Sequence, residues 1–217
     1  MVQPAAFLLD AYQTLLYTDF GSYGDELPRL AGVPAESLFR SYARVAPLVT
    51  VGKTTVAQAF GEVLEMNGIV PRPELERALA AKHREALLKA GHLYDDVLPF
   101  LRSARAAGVK TAIVSNCDEN LRALLTELGV TPLVDAFALS CEVHAAKPDK
   151  KIYAAALHRL RVRPGQAVFV DDNAGFCAGA QTVGLTALRI ARGAEVTPVP
   201  GLTTIRSLTE LEPQLHP

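Results

Sequence analysis

The sequence has no tryptophan, two methionines and three cysteines in 217 residues. Cys117, Cys141 and Cys177 are odd in number and lack metal-ligand spacing, so neither a disulfide framework nor a zinc module is expected. They read as reduced thiols of a cytoplasmic protein. An excess of charge of one sign is also missing: 22 Lys and Arg against 23 Asp and Glu leave a net charge of −1. That removes the electrostatic case for nucleic acid or an anionic membrane as the main partner. Long apolar runs are missing too. The opening MVQPAAFLLDAYQTLL has no basic leader, and Asp10 and Gln13 break its hydrophobic stretch, so neither a signal peptide nor a membrane span is expected there. What remains is an ordinary globular balance, 49% hydrophobic and 21% charged, of a length that suits one α/β domain or a core with an inserted unit.

Five short apolar runs punctuate the chain: AAFLL before Asp10, KTAIVSN over Lys110 to Asn116, AFALSC from Ala136, AVFVDD from Ala167, and TALRI from Thr186. A strand buried on both faces is continuously apolar rather than alternating, so these runs predict strands of a covered sheet. Helical patterns separate them over Asp118 to Leu128 with Asp118 as N-cap, Asp149 to Leu160, and Gly175 to Val183. Strands alternating with helices imply βαβ units and a parallel sheet. Residues 17–92 break that rhythm. They show no strand-like run and read as helices around Tyr23–Ala31, Ala35–Ala46, Thr54–Asn67 and Pro73–Ala90, punctuated by Gly32-Val33-Pro34 and Gly68-Ile69-Val70-Pro71. The expected fold class is therefore α/β, a Rossmann-like parallel-sheet core of residues 1–16 and 93–217 with an inserted α-helical cap of residues 17–92. Ligands of open parallel sheets bind outside the carboxyl ends of the strands, where such an insert can close over them.

Three predicted strands end in reactive residues: Asp10, Ser115-Asn116 and Asp171-Asp172. Lys147, just before a helix, could reach the same sheet edge. An Asp ending a strand, a Ser-Asn turn or a Lys before Pro is unremarkable alone. Together, on one edge, they form a candidate site. The five histidines (His83, His92, His144, His158 and His216) have no ligand spacing and read as surface or packing residues.

In this order the segments resemble the four motifs of the haloacid dehalogenase superfamily. LLDAYQTLL is similar to the first, VSNCDEN to the second, AAKPDKKIY to the third and VFVDDNAGFCAGAQTVG to the fourth. The resemblance spans essentially the whole chain and places the insert where subfamily I carries its helical cap. It implies a hydrolase in which the Asp10 carboxylate attacks and a covalent intermediate splits one difficult displacement into two. Ser115 and Asn116 would hydrogen-bond the substrate, Lys147 would neutralise charge beside Asp10, and Thr14 would donate to nucleophile or substrate.

Two departures point to different substrates. Superfamily phosphatases usually carry a second Asp two residues after the nucleophile, where this chain has Tyr12. That tyrosine, with Tyr153 after Lys147, resembles L-2-haloacid dehalogenases, whose halide leaves without a proton. Arg40 of the cap would then be their substrate-contacting arginine, with Arg44 an equal candidate. The fourth motif points the other way, since those dehalogenases tend to have serines at Asp171-Asp172 and an Asp at Phe176. Three crowded carboxylates demand protonation or a cation. Magnesium fits, held by Asp10, the Tyr12 carbonyl and either Asp171 or Asp172. The acidic pair outweighs the tyrosine, because a missing general acid slows a reaction about 10²–10⁴-fold without removing it. A magnesium-dependent phosphatase of small molecules, monomeric or homodimeric, is the leading expectation. A metal-independent dehalogenase is the second, and a non-catalytic binding protein on the same fold the third.

Overall fold

The structure is a computed structural model that describes residues 3–19, 23–193 and 197–215, without the side chains of residues 23–25. His216 lies outside the described residues. The first strand, β1 (Ala6–Leu9), is followed by a short β2 (Leu16–Thr18). Four helices come next: α1 (Tyr23–Ala31), α2 (Ala35–Thr50), α3 (Val56–Met66) and α4 (Pro73–Ala90). The chain returns through β3 (Gly91–Leu93) and α5 (Val97–Ala106) to β4 (Lys110–Ser115) and α6 (Leu121–Glu127). Then β5 (Ala136–Leu139), α7 (Ser140–Val143), α8 (Lys150–Leu160), β6 (Ala167–Asp171), α9 (Ala174–Thr182), β7 (Thr186–Ile190) and β8 (Thr204–Ile205) complete it.

Six strands form one parallel sheet in the order β5-β4-β1-β6-β7-β8. Strand β1 lies between β4 and β6, with Leu9 level with both Ile113 and Val170. Successive side chains of a strand point to opposite faces. Accordingly Phe7, Leu9, Ile113 and Val170 enter one apolar cluster with α5 and α6, while Ala6, Leu8, Val114 and Phe169 enter another with α8 and α9. Both faces are covered, which is why these strands are apolar throughout.

Residues 23–90 have a third cluster of their own, centred on Leu38, Phe60, Val63 and Leu79. Thr55 opens α3 with a capping box, its hydroxyl accepting from the Gln58 amide while the Gln58 side chain accepts from the Thr55 amide. Between 17 and 92 the structure corrects the sequence reading. Strands β2 and β3 pair antiparallel, Leu16 with Leu93 and Thr18 with Gly91, at the base of the helical block. Three-residue strands are too short to show a period. Helix α6 begins at Leu121 rather than at an Asp118 cap, because Asp118 accepts from the Asn120 amide through Oδ1 and faces His83 through Oδ2.

Polar contacts join the helical block to the sheet edge. His83 of α4 lies 2.9 Å from Asp118, the Val56 amide donates to Glu119 at 2.9 Å, and His144 Nδ1 is 3.0 Å from the Val51 carbonyl. Gly52 sits there at φ +64°, and a Cβ on it would fall 2.0 Å from the Cys141 carbonyl oxygen, so the turn requires glycine. Among the described residues, no helix is long and apolar enough to cross a membrane.

Candidate active site

Parallel register brings the ends of β4, β1 and β6 to one edge. Asp10 is the residue after β1, and its amide donates to the Val170 carbonyl at 2.9 Å. Lys147, before α8, reaches into the same place. Its Nζ donates to Asp10 Oδ1 and to Asp171 Oδ2, each at 2.6 Å. All three side chains are buried, at 1%, 7% and 0% exposure for Lys147, Asp10 and Asp171. The ring of Phe176 lies 5.0 Å from Nζ and that of Phe169 5.8 Å, so aromatic faces back the ammonium.

The lysine is held from behind. Asn116 Nδ2 donates to the Lys147 carbonyl at 3.0 Å, and the Lys147 amide donates to Asn116 Oδ1 at 2.7 Å. Asn116 therefore fixes the lysine backbone, a role different from the substrate contact expected of it. Ser115 Oγ and Thr14 Oγ1 are buried without a hydrogen-bond partner. Unspent buried hydroxyls are costly. They are left available to the oxygens of a ligand.

Carboxylate oxygens of Asp10, Asp171 and Asp172 all lie within 4.8 Å of one another. Burial first, and then the Asp10 charge, push the Asp171 carboxyl up to about 7, against the pull of Lys147. The same two causes raise Asp172. Lys147 is raised as well: burial disfavours its charge, but the two carboxylates more than offset this. The lysine stays charged, and Asp171 and Asp172 hold their protons more tightly than free carboxyls do. Asp171 is fully engaged, with Oδ2 on Lys147 and Oδ1 accepting from the Asn173 amide at 2.8 Å.

Tyr12 packs beside the site with its phenol pushed well above its usual range, first by burial and then by the Asp118 and Cys117 neighbourhood. It stays protonated at neutral pH. Tyr153 is buried and donates to the Phe176 carbonyl at 2.8 Å, so its hydroxyl is spent on backbone. Arg40 is not brought to the site. It is exposed on α2 and pairs with Glu36 one turn away, and Arg44 is exposed too. A lone arginine on a helix carries no signal of which way it faces. His83 was not distinguished in the sequence, yet it bonds across to the loop that follows Ser115. The three cysteines are free thiols, with Cys117 packed in the core cluster.

Known proteins similar to this chain share its fold and include both a dehalogenase and a phosphatase. Residues 5–184 match the model of the haloacid dehalogenase-like hydrolase family. The chain is 32% identical to (S)-2-haloacid dehalogenase 1 of Pseudomonas sp. (strain CBS-3), over 97% of this chain and 95% of that protein. It is 26% identical to the phosphatase MT3486 of Mycobacterium tuberculosis (strain CDC 1551 / Oshkosh), over 88% of this chain and 89% of that one. Its fold superposes on a HAD phosphatase from Thermococcus onnurineus with a TM-score of 0.70 and 24% identity, over 97% of both chains.

Proposed function

The chain belongs to the haloacid dehalogenase-like hydrolase family, and within it we propose a magnesium-dependent phosphatase of small molecules that works through a covalent Asp10 intermediate. The observation that carries this reading is the charge at the sheet edge. Three carboxylates crowd within 4.8 Å around the one positive charge of Lys147, so their full ionisation leaves two negative charges to be balanced. A divalent cation balances them, and an all-oxygen donor set suits magnesium. Asp171 already has both oxygens engaged, so Asp10, Asp172 and the Tyr12 carbonyl are the ligands we assign. When bound, magnesium supplies a Lewis acid that neutralises the oxygens of the transferring group.

The chain's own residues do the rest. Asp10 attacks phosphorus and the P–O bond to the leaving group breaks, releasing it as an anion that takes its proton from water, while Lys147 holds the other oxygen of Asp10 and Asp171 holds Lys147. Ser115 and Thr14 hydroxyls donate to the phosphoryl oxygens. Water then cleaves the aspartyl phosphate. Tyr12 stands where a general acid would be, and its raised phenol does not release a proton at neutral pH. Leaving groups that are weak bases are therefore favoured, so rates fall as leaving-group pKa rises. The helices α1 to α4 act as a cap that selects the substrate.

A second reading is a metal-independent dehalogenase. Tyr12 and the full-length similarity to a haloacid dehalogenase favour it. One purified sample separates the two, assayed with p-nitrophenyl phosphate and 2-chloropropionate, each with magnesium and with EDTA. We expect phosphate release that stops in EDTA. Chloride release that persists in EDTA, with no phosphate release, overturns the proposal.

A further inference from the structure

The turn after β1 is closed by its own backbone. Leu15 and Leu16 amides donate to the Ala11 carbonyl at 2.8 and 2.9 Å, and the Gln13 amide donates to the Leu16 carbonyl at 2.6 Å. Gln13 takes a positive φ of 56°. The Thr14 carbonyl is taken up by a residue 178 positions away: Arg192 Nε and Nη2 both donate to it, at 3.1 and 2.6 Å. The remaining prong, Nη1, donates to Asp96 Oδ2 at 2.6 Å. That oxygen also accepts from the Ser207 hydroxyl at 2.6 Å and the Leu208 amide at 2.7 Å. Tyr94 covers the guanidinium at 4.3 Å, and its own amide donates to the Leu15 carbonyl at 3.0 Å.

This is a partly buried ion pair, with Arg192 and Asp96 side chains 9% and 11% exposed. A planar fork fixed on three sides holds its acceptor in one direction, which an ammonium on a flexible stem does not. The acceptor is the peptide carbonyl of Thr14, and the orientation of that peptide restricts where the residue's side chain points. The Thr14 hydroxyl is itself buried without a partner, four residues after Asp10.

We propose that Arg192 is a positioning residue for the nucleophile turn: anchored by Asp96, it clamps the Thr14 carbonyl and thereby holds the Thr14 hydroxyl toward the reacting group. The inference rests on Asp10 being the reacting residue and not on which substrate it attacks.

The test is Arg192→Lys, which keeps the charge and loses the fork. Backbone hydrogen exchange is measured in residues 11–16 and, as a control, in β6. Turnover of p-nitrophenyl phosphate with magnesium is measured in the wild type, Arg192→Lys, Thr14→Val and the double variant. We expect faster exchange in residues 11–16 with β6 unchanged. We also expect kcat to fall roughly tenfold at nearly constant KM. In the Thr14→Val background, Arg192→Lys should cost nothing further, because residues acting through one group are not additive. Equal loosening of β6, or losses that multiply in the double variant, overturns the proposal. Should Arg192→Lys fold poorly, Asp96→Asn loosens the anchor and must give the same local pattern. A wild type silent on both p-nitrophenyl phosphate and 2-chloropropionate counts against the functional reading, while the exchange data still decide the clamp.

Discussion

Lys147 and Lys82 each sit between two carboxylates, and they differ in almost everything else. Lys147 lies between Asp10 and Asp171 at the sheet edge, at 2.6 Å from each, with all three side chains buried. Lys82 lies between Glu26 and Glu85 on the helical block, at 2.7 and 3.3 Å, with 29%, 38% and 46% of the side chains exposed. At the surface, water solvates each charge and the pairing contributes little. At the sheet edge the charges have been taken out of water, and each depends on its partners. An arrangement that costly persists where the strands force it. The charge of this protein is concentrated in meaning at one place, although it is spread evenly along the sequence.

Removing either lysine tests that contrast, and Lys147→Met should have the largest effect. It leaves Asp10 and Asp171 unpaired, so we expect a loss of about 3–5 kcal/mol in urea unfolding together with the loss of turnover. Unchanged stability would mean that the site is far wetter than its burial indicates. Phe60→Ala, in the centre of the helical cluster, should cost about 3–5 kcal/mol by leaving a cavity. Magnesium binding followed by calorimetry should be unaffected, because none of the proposed ligands lies on those helices. If magnesium affinity falls with it, the two regions are not energetically separate.

The third prediction concerns pH. Asp171 carries a folded-state value of about 7 against 3.8 for the free group, so the folded protein holds that proton more tightly than the unfolded chain. Without metal, its contribution to stability is present below pH 4 and is lost as pH rises through about 7. Magnesium reverses the dependence, since ligands and their neighbours must be deprotonated to bind it. Thermal denaturation with and without magnesium should therefore show the metal's stabilisation growing from pH 6 to pH 8. Stabilisation that is flat over that range contradicts the assignment. The smallest effect belongs to Lys82→Ala, for which melting temperature and turnover should both match the wild type.

The same contrast explains what could be read from the sequence. Strands buried on both faces announce themselves as apolar runs, so β1, β4, β6 and β7 and the residues that end them were legible. Strands β2 and β3, at three residues each, were not. Asp10, Lys147 and Asp171 belong together because parallel strands share an edge, which their order along the chain implies. Arg40 and Arg192 show the limit. Arg40 pairs with Glu36 on its own helix, while Arg192, which no sequence motif singles out, reaches back 178 positions to Thr14. A long flexible side chain carries no local record of such a partner.

The central claim is that Asp10 accepts a phosphoryl group with the help of a divalent cation. Acid quenching of p-nitrophenyl phosphate turnover, followed by mass spectrometry of the peptide that contains Asp10, tests it directly. The account predicts a phosphoryl group on Asp10 in magnesium and none in EDTA or in Asp10→Asn. Phosphate release by Asp10→Asn at the wild-type rate, or a phosphoryl group found on another residue, would contradict it.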